Sequence, residues 1–172
     1  MNRGDLCTGI YTWNAEFVNC RFSEIPYVYP VKIRGIKSRV ENCHFTNMDW
    51  WANPGGGAAE LGNIARYVTF ENSKVGGLGG SHLMEYCRIE DFKDPCDCSG
   101  INRGAHGAPR SMTRYNWIIN GPGANGIRID GGANGAGNRR GDIHHIITIG
   151  NNRGMRLKGD FHDVHHITAY DN

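Results

Sequence analysis

The sequence predicts an all-β parallel solenoid of about seven stacked coils, and three observations carry that prediction. Segments of like character recur every 19 to 30 residues, glycine fills 25 of 172 positions, and no window sustains a helical apolar stripe. A 172-residue chain of this composition is read as a single domain, residues 1–172.

Seven nine-residue segments align without gaps: FVNCRFSEI (17–25), VENCHFTNM (40–48), ARYVTFENS (65–73), MEYCRIEDF (84–92), TRYNWIING (113–121), IHHIITIGN (143–151) and VHHITAYDN (164–172). Their fourth position reads Cys20, Cys43, Val68, Cys87, Asn116, Ile146, Ile167, and their sixth reads Phe22, Phe45, Phe70, Ile89, Ile118, Thr148, Ala169. Two inward columns at a spacing of two describe a strand. The third position reads Asn19, Asn42, Tyr67, Tyr86, Tyr115, His145, His166, so like residues on successive rungs are expected to stack. The eighth holds Glu24, Asn47, Asn72, Asp91, Asn120, Gly150 and Asp171, mostly turn formers that end the strand.

A second register lies between these segments: VKIRG (31–35), AELG (59–62), GINRG (100–104), GIRIDG (126–131) and GMRLKG (154–159). Two strand columns per rung of this length make a parallel solenoid. A β-sandwich would need hairpin turns at closer spacing and would not repeat residue types by column. Residues 1–16 are expected to supply at most a modest N-terminal cover. ITAYDN closes a rung with no cap after it, so the solenoid is read as part of a longer one or as covered by a neighbouring chain.

The totals narrow the partners. With 19 Lys and Arg against 17 Asp and Glu the net charge is only +2, so nothing global calls for nucleic acid or an anionic membrane. No apolar run is long enough to span a bilayer, and MNRGDLCTGIYTW lacks the apolar segment of a secretion signal. The tripeptide RGD at 3–5 is too short to carry weight. Six cysteines at 7, 20, 43, 87, 96 and 98 contain no C-x-x-C pair and support neither a zinc knuckle nor a thioredoxin-type motif.

On the second register, the outward positions align Lys32, Glu60, Asn102, Arg128 and Arg156 in one column and Arg34, Asp130 and Lys158 in the next. Five of these eight are basic, a ridge suited to an extended polyanion such as an acidic polysaccharide. Substrate-binding candidates are Lys32, Arg34 and Asn102, together with Arg103 and His106 from the long loop KDPCDCSGINRGAHGAPRS, and Trp50 from MDWWANPG, where Trp51 points the other way. The Gly-rich runs 53–63 and 130–142 fit neither a P-loop nor a dinucleotide fingerprint. The pairs His144-His145 and His165-His166 fall on the same repeat positions and are read as a structural ladder rather than a metal site, so no metal ligand is assigned.

Rungs such as VENCHF and the run GIRIDG…HH…GMRLKG resemble the right-handed parallel β-helix superfamily typified by pectate lyases, with its chondroitinase B and alginate lyase type and its uncharacterised secreted repeat proteins. The resemblance extends from residue 17 to the end. It implies a right-handed single-stranded β-helix, an extracellular or cell-surface setting, and β-elimination of a uronic-acid polymer by Lys and Arg from successive coils, with calcium as the one cofactor suggested. By that resemblance Lys158 is the base, while Arg128 and Arg156 grip the carboxylate. The superfamily's calcium-binding carboxylate cluster is not found on one face, nor is its particular sequence around the Lys and Arg. A glycoside hydrolase would instead need two carboxylates. Asp130 is the candidate on the ridge, Glu60 lies too many rungs away to partner it, and Asp142 and Asp160 are placed at turns. The alternative to a carbohydrate-active domain is a non-catalytic structural or adhesive solenoid that self-associates end to end or continues in further coils.

Overall fold

The computed structural model describes residues 10–24, 31–48, 59–73, 76–93, 99–103, 111–129, 141–159 and 162–172; of Arg103 it describes the backbone only. Coil 1 comprises β1 (Ile10–Trp13), β2 (Glu16–Val18) and β3 (Arg21–Ser23), and coil 2 comprises β4 (Val31–Arg34), β5 (Arg39–Glu41) and β6 (His44–Thr46). Coil 3 comprises β7 (Ala59–Leu61), β8 (Ile64–Arg66) and β9 (Thr69–Ser73), and coil 4 comprises β10 (Leu78–Gly79), β11 (Leu83–Glu85) and β12 (Arg88–Phe92). Coils 5 to 7 have two strands each: β13 (Ser99–Arg103) and β14 (Ser111–Ile119), β15 (Asn125–Ile129) and β16 (Gly141–Ile149), β17 (Arg153–Leu157) and β18 (Asp163–Tyr170). The first strand of every coil joins one seven-stranded parallel sheet, sheet 1, and all other strands join an eleven-stranded sheet, sheet 2. The fold is a parallel β-solenoid with no helix among the described residues.

Two features depart from the expected layout. Ile10–Trp13, placed in the N-terminal cover, is the first strand of sheet 1, and Leu78–Gly79 adds a rung that the second register omitted. In coils 1 to 4 the nine-residue segment is two strands rather than one, and in all seven coils its third residue bends the chain. Asn19, Asn42, Tyr67, Tyr86, Tyr115, His145 and His166 all have φ between 49° and 57°. This left-handed corner lets repeat positions 2 and 3 both turn away from the bore, where plain alternation would send one of them in.

Asparagine tolerates that conformation and bulky residues resist it, at about 1–2 kcal/mol each. The stack offsets part of the cost. Tyr67 and Tyr86 lie 5.1 Å apart and nearly parallel, Tyr86 and Tyr115 5.0 Å, Tyr115 and His145 4.7 Å, and His145 and His166 4.5 Å; such ring pairs contribute about 0.5–1.5 kcal/mol each. In the first coils the stack becomes an amide ladder, with Asn42 Nδ2 donating to Asn19 Oδ1 at 2.6 Å. The ladder of main-chain bonds continues around the corner: Tyr67 N–H donates to the Glu85 carbonyl at 3.2 Å and Arg88 N–H to the Val68 carbonyl at 2.9 Å.

The bore is filled as the columns require. Phe45, Phe70, Ile89, Ile118, Val68 and Ile146 are buried, and Phe22 stacks on Phe45 with centroids 4.5 Å apart. The fourth column is selective for a further reason: its side chains cap main-chain groups at the corner. The Cys43 thiol points to the carbonyls of Phe17 and Glu41, and the Cys87 thiol to that of Glu85. Asn116, fully buried among apolar neighbours, accepts the Cys87 N–H at 2.8 Å and donates to the Met84 carbonyl at 3.1 Å. A buried polar group so paired costs little.

Cys20, Cys43 and Cys87 are free thiols, while Cys7, Cys96 and Cys98 lie outside the described residues. Burial pushes the Cys43 thiol up and the Cys87 thiol up to about 12. Cys87 is therefore expected to react with a maleimide on the order of a thousandfold more slowly than an ordinary exposed cysteine in the native protein. Site-resolved mass spectrometry of a labelling time course checks this, and fast modification of Cys87 in the folded state would contradict it.

Candidate functional site

The predicted outward column of sheet 1 is present. Lys32 pairs opposite Glu60, Glu60 opposite Gly79, Gly79 opposite Asn102, Asn102 opposite Arg128, and Arg128 opposite Arg156. It is not a uniform basic ridge. Glu60 sits 3.5 Å from Lys32 Nζ and 3.4 Å from Arg34 Nη2, so one carboxylate answers both cations, and Gly79 then interrupts the column. Charge separates into two patches.

The first patch is aromatic as well as charged. Tyr11 and Trp13, 60% and 61% exposed, project from β1 opposite Lys32 and Arg34. Arg34 donates to the Tyr11 hydroxyl at 3.2 Å and lies 5.6 Å over its ring. The sequence reading missed both aromatics because IYTW was not recognised as a rung. The signal was there: aromatic residues two apart, in the register that carries Lys32 and Arg34 one coil on.

The second patch joins Arg128 and Arg156 on directly opposed positions of β15 and β17, with Lys158 exposed two residues beyond Arg156. The end of this strand is fixed from sheet 2. His162 Nδ1 accepts the Gly141 N–H at 3.1 Å while its Nε2 lies 3.0 Å from the Lys158 carbonyl, which selects the neutral tautomer protonated on Nε2. Lys158 N–H donates to the Ile129 carbonyl at 2.9 Å. The structure thus brings together Arg128, Arg156 and Lys158, and separately Lys32 and Arg34, with Asn102 beside Arg128. Asp130, His106, Trp50, Trp51 and Asp160 lie outside the described residues, and the Arg103 side chain is not described. The six steps from β1 to β17, at about 4.8 Å each, make a face roughly 29 Å long.

Sheet 2 carries a different chemistry. Its second repeat position alternates Glu41, Arg66, Glu85 and Arg114 and then changes to His144 and His165, whose rings stack 4.9 Å apart. Glu85 is buried between two guanidiniums, 2.5 Å from Arg66 Nε and 2.6 Å from Arg114 Nε. Two residues before the paired histidines stand Asp142 and Asp163, directly opposite one another. Asp142, expected at a turn, is the second residue of β16. His144 Nδ1 lies 2.7 Å from His145 Nδ1. Desolvation holds the His144 ring below the usual histidine range, and the Asp142 carboxylate opposes that in part.

The chain matches no protein-family model, no curated protein and no solved structure. The parallel β-solenoid therefore stands on the architecture itself. No helix among the described residues is long and apolar enough to cross a membrane.

Proposed function

We propose that the outer face of sheet 1 binds an acidic polysaccharide. The observation that carries this reading is the opposed pair Arg128 and Arg156 on β15 and β17 with Lys158 just past the end of β17, two planar forks and an ammonium at one end of sheet 1. Guanidinium forks match carboxylate geometry bidentately. The exposed Tyr11 and Trp13 at the other end of the face suit the C–H surfaces of sugar rings. The catalytic form of the reading follows the pectate-lyase-like resemblance: Lys158 takes the C5 proton of a uronic acid while Arg128 and Arg156 hold its carboxylate, with calcium as an assisting ion. A chain of that kind meets its ligand outside the cell or at its surface.

Calorimetric titration with alginate, pectate and chondroitin sulfate tests binding. Arg128→Gln with Arg156→Gln is expected to weaken it by roughly a hundredfold, taking about 1.5 kcal/mol for each charged hydrogen bond, and salt is expected to weaken it further. Absorbance of unsaturated products, read with calcium present, tests elimination. Failure to bind all three polymers would sink the proposal, and binding without product would leave a binding domain.

A second reading rests on coil 7. Among the described residues β18 pairs with β16 alone, and Val164 and Tyr170 on it are exposed, so a structural solenoid joined end to end through this edge is the alternative. Filaments in electron micrographs would favour it, and a monodisperse monomer at high concentration would count against it.

A further inference from the structure

We infer that Asp142, Asp163 and His165 form a binding site for a divalent transition-metal cation of the zinc class, clamping coils 6 and 7 together on sheet 2. One ligand atom from each of the three residues lies within 4.8 Å of the others, and the His165 Nδ1 to Asp163 Oδ1 separation is 3.4 Å. Ligand atoms around a tetrahedral zinc with bonds of about 2.0–2.2 Å are about 3.3–3.6 Å apart. Rotation of the exposed Asp163 and His165 side chains closes the remaining distance.

Two features of the cluster suit a cation. The Asp142 side chain is 37% exposed, but its Oδ1 is withdrawn from water and has no hydrogen-bond partner among the described residues, with His144 Nε2 4.0 Å away. A carboxylate oxygen withdrawn from water needs a donor or a positive charge. The second is the register. Asp142 and Asp163 carry the same charge on directly opposed positions, as Glu71 and Glu90 do elsewhere on sheet 2, where the Arg88 guanidinium answers Glu90. Like charges so placed repel across a parallel ladder spacing of about 4.8 Å. A divalent ion between them turns the repulsion into attraction.

The donor set selects the ion. One imidazole with two carboxylates suits zinc and its first-row neighbours and is a poor match for calcium or magnesium, which take oxygen ligands. Three protein ligands leave at least one position for water or for a ligand brought in from solution. His144 stacks parallel to His165 at 4.9 Å, so its ring plane misses an ion held in the plane of His165; it flanks the site and covers one side. The site lies on the other sheet from Arg128 and Arg156 and is independent of the polysaccharide reading.

The test uses the full chain prepared without a polyhistidine tag and stripped with chelator, titrated with zinc chloride by calorimetry and by thermal melting. One equivalent is expected to bind and to raise the melting temperature. His165→Gln is expected to weaken binding at least tenfold. Asp142→Asn with Asp163→Asn is expected to abolish the zinc-induced shift while leaving the metal-free melting temperature equal or higher, since it removes the stacked charges. His166→Gln, one residue along, is expected to bind as the parent does. Absence of stoichiometric zinc binding, retention of it in the double aspartate variant, or calcium binding as tight as zinc would each overturn the inference.

Discussion

Glu85→Ala is expected to lower the free energy of unfolding by about 3 kcal/mol, the lower end of the range for breaking a buried ion pair. The Glu85 side chain is 4% exposed and is gripped from coil 3 by Arg66 and from coil 5 by Arg114, so a single carboxylate ties three successive coils. Its removal leaves two cations facing one another across an empty rung. Both arginines are about a third exposed and are partly rescued by water, which is why the lower end of the range applies. Arg66→Ala or Arg114→Ala alone leaves Glu85 one partner and is expected to cost less than half as much. Urea denaturation of the three variants measures this: a midpoint shift at constant slope reports stability alone. Equal losses at all three positions would show that the clamp does not act as described.

Gly77→Ala is expected to cost about 3 kcal/mol, at the upper end for overpacking. A Cβ at this position would stand 2.1 Å from the Gly100 carbonyl oxygen and 2.9 Å from its carbon. Main-chain atoms cannot rotate aside as a side chain can. The register aligns Gly77, Gly100, Gly126 and Gly154 on successive coils. A Cβ on Gly126 would likewise meet the Gly154 carbonyl, at 2.5 Å. The glycines opening GINRG, GIRIDG and GMRLKG are thus a column of close approach between coils rather than turn formers. A native-like melting temperature for Gly77→Ala would show that the coils separate freely at this point.

Much of this was legible before any coordinate. The columns Phe22, Phe45, Phe70 and Tyr67, Tyr86, Tyr115 are visible in the chain because every coil meets the same environment at the same repeat position. The stacking of His145 on His166 followed from that alignment and is present. Less legible was the corner that makes the pairing of outward residues possible. Tyrosine seldom takes positive φ, so nothing local in RYV signals the bend, and the histidine of IHHI, though more tolerant of it, signals it only weakly; a stacked neighbour from another coil sustains it.

The repeat by itself determined the class of fold, the inward columns and which residues share an outward column, because one-dimensional periodicity in a solenoid maps directly onto stacking. Only the tertiary structure decided what each outward residue meets. Side-chain reach sets the pairing, so Glu60 turns to both Lys32 and Arg34, Glu85 bridges Arg66 and Arg114, and Asp142 Oδ1 meets no donor among the described residues. Charge pairing depends on side-chain reach across coils about 4.8 Å apart, a distance between segments remote in sequence that no single segment encodes.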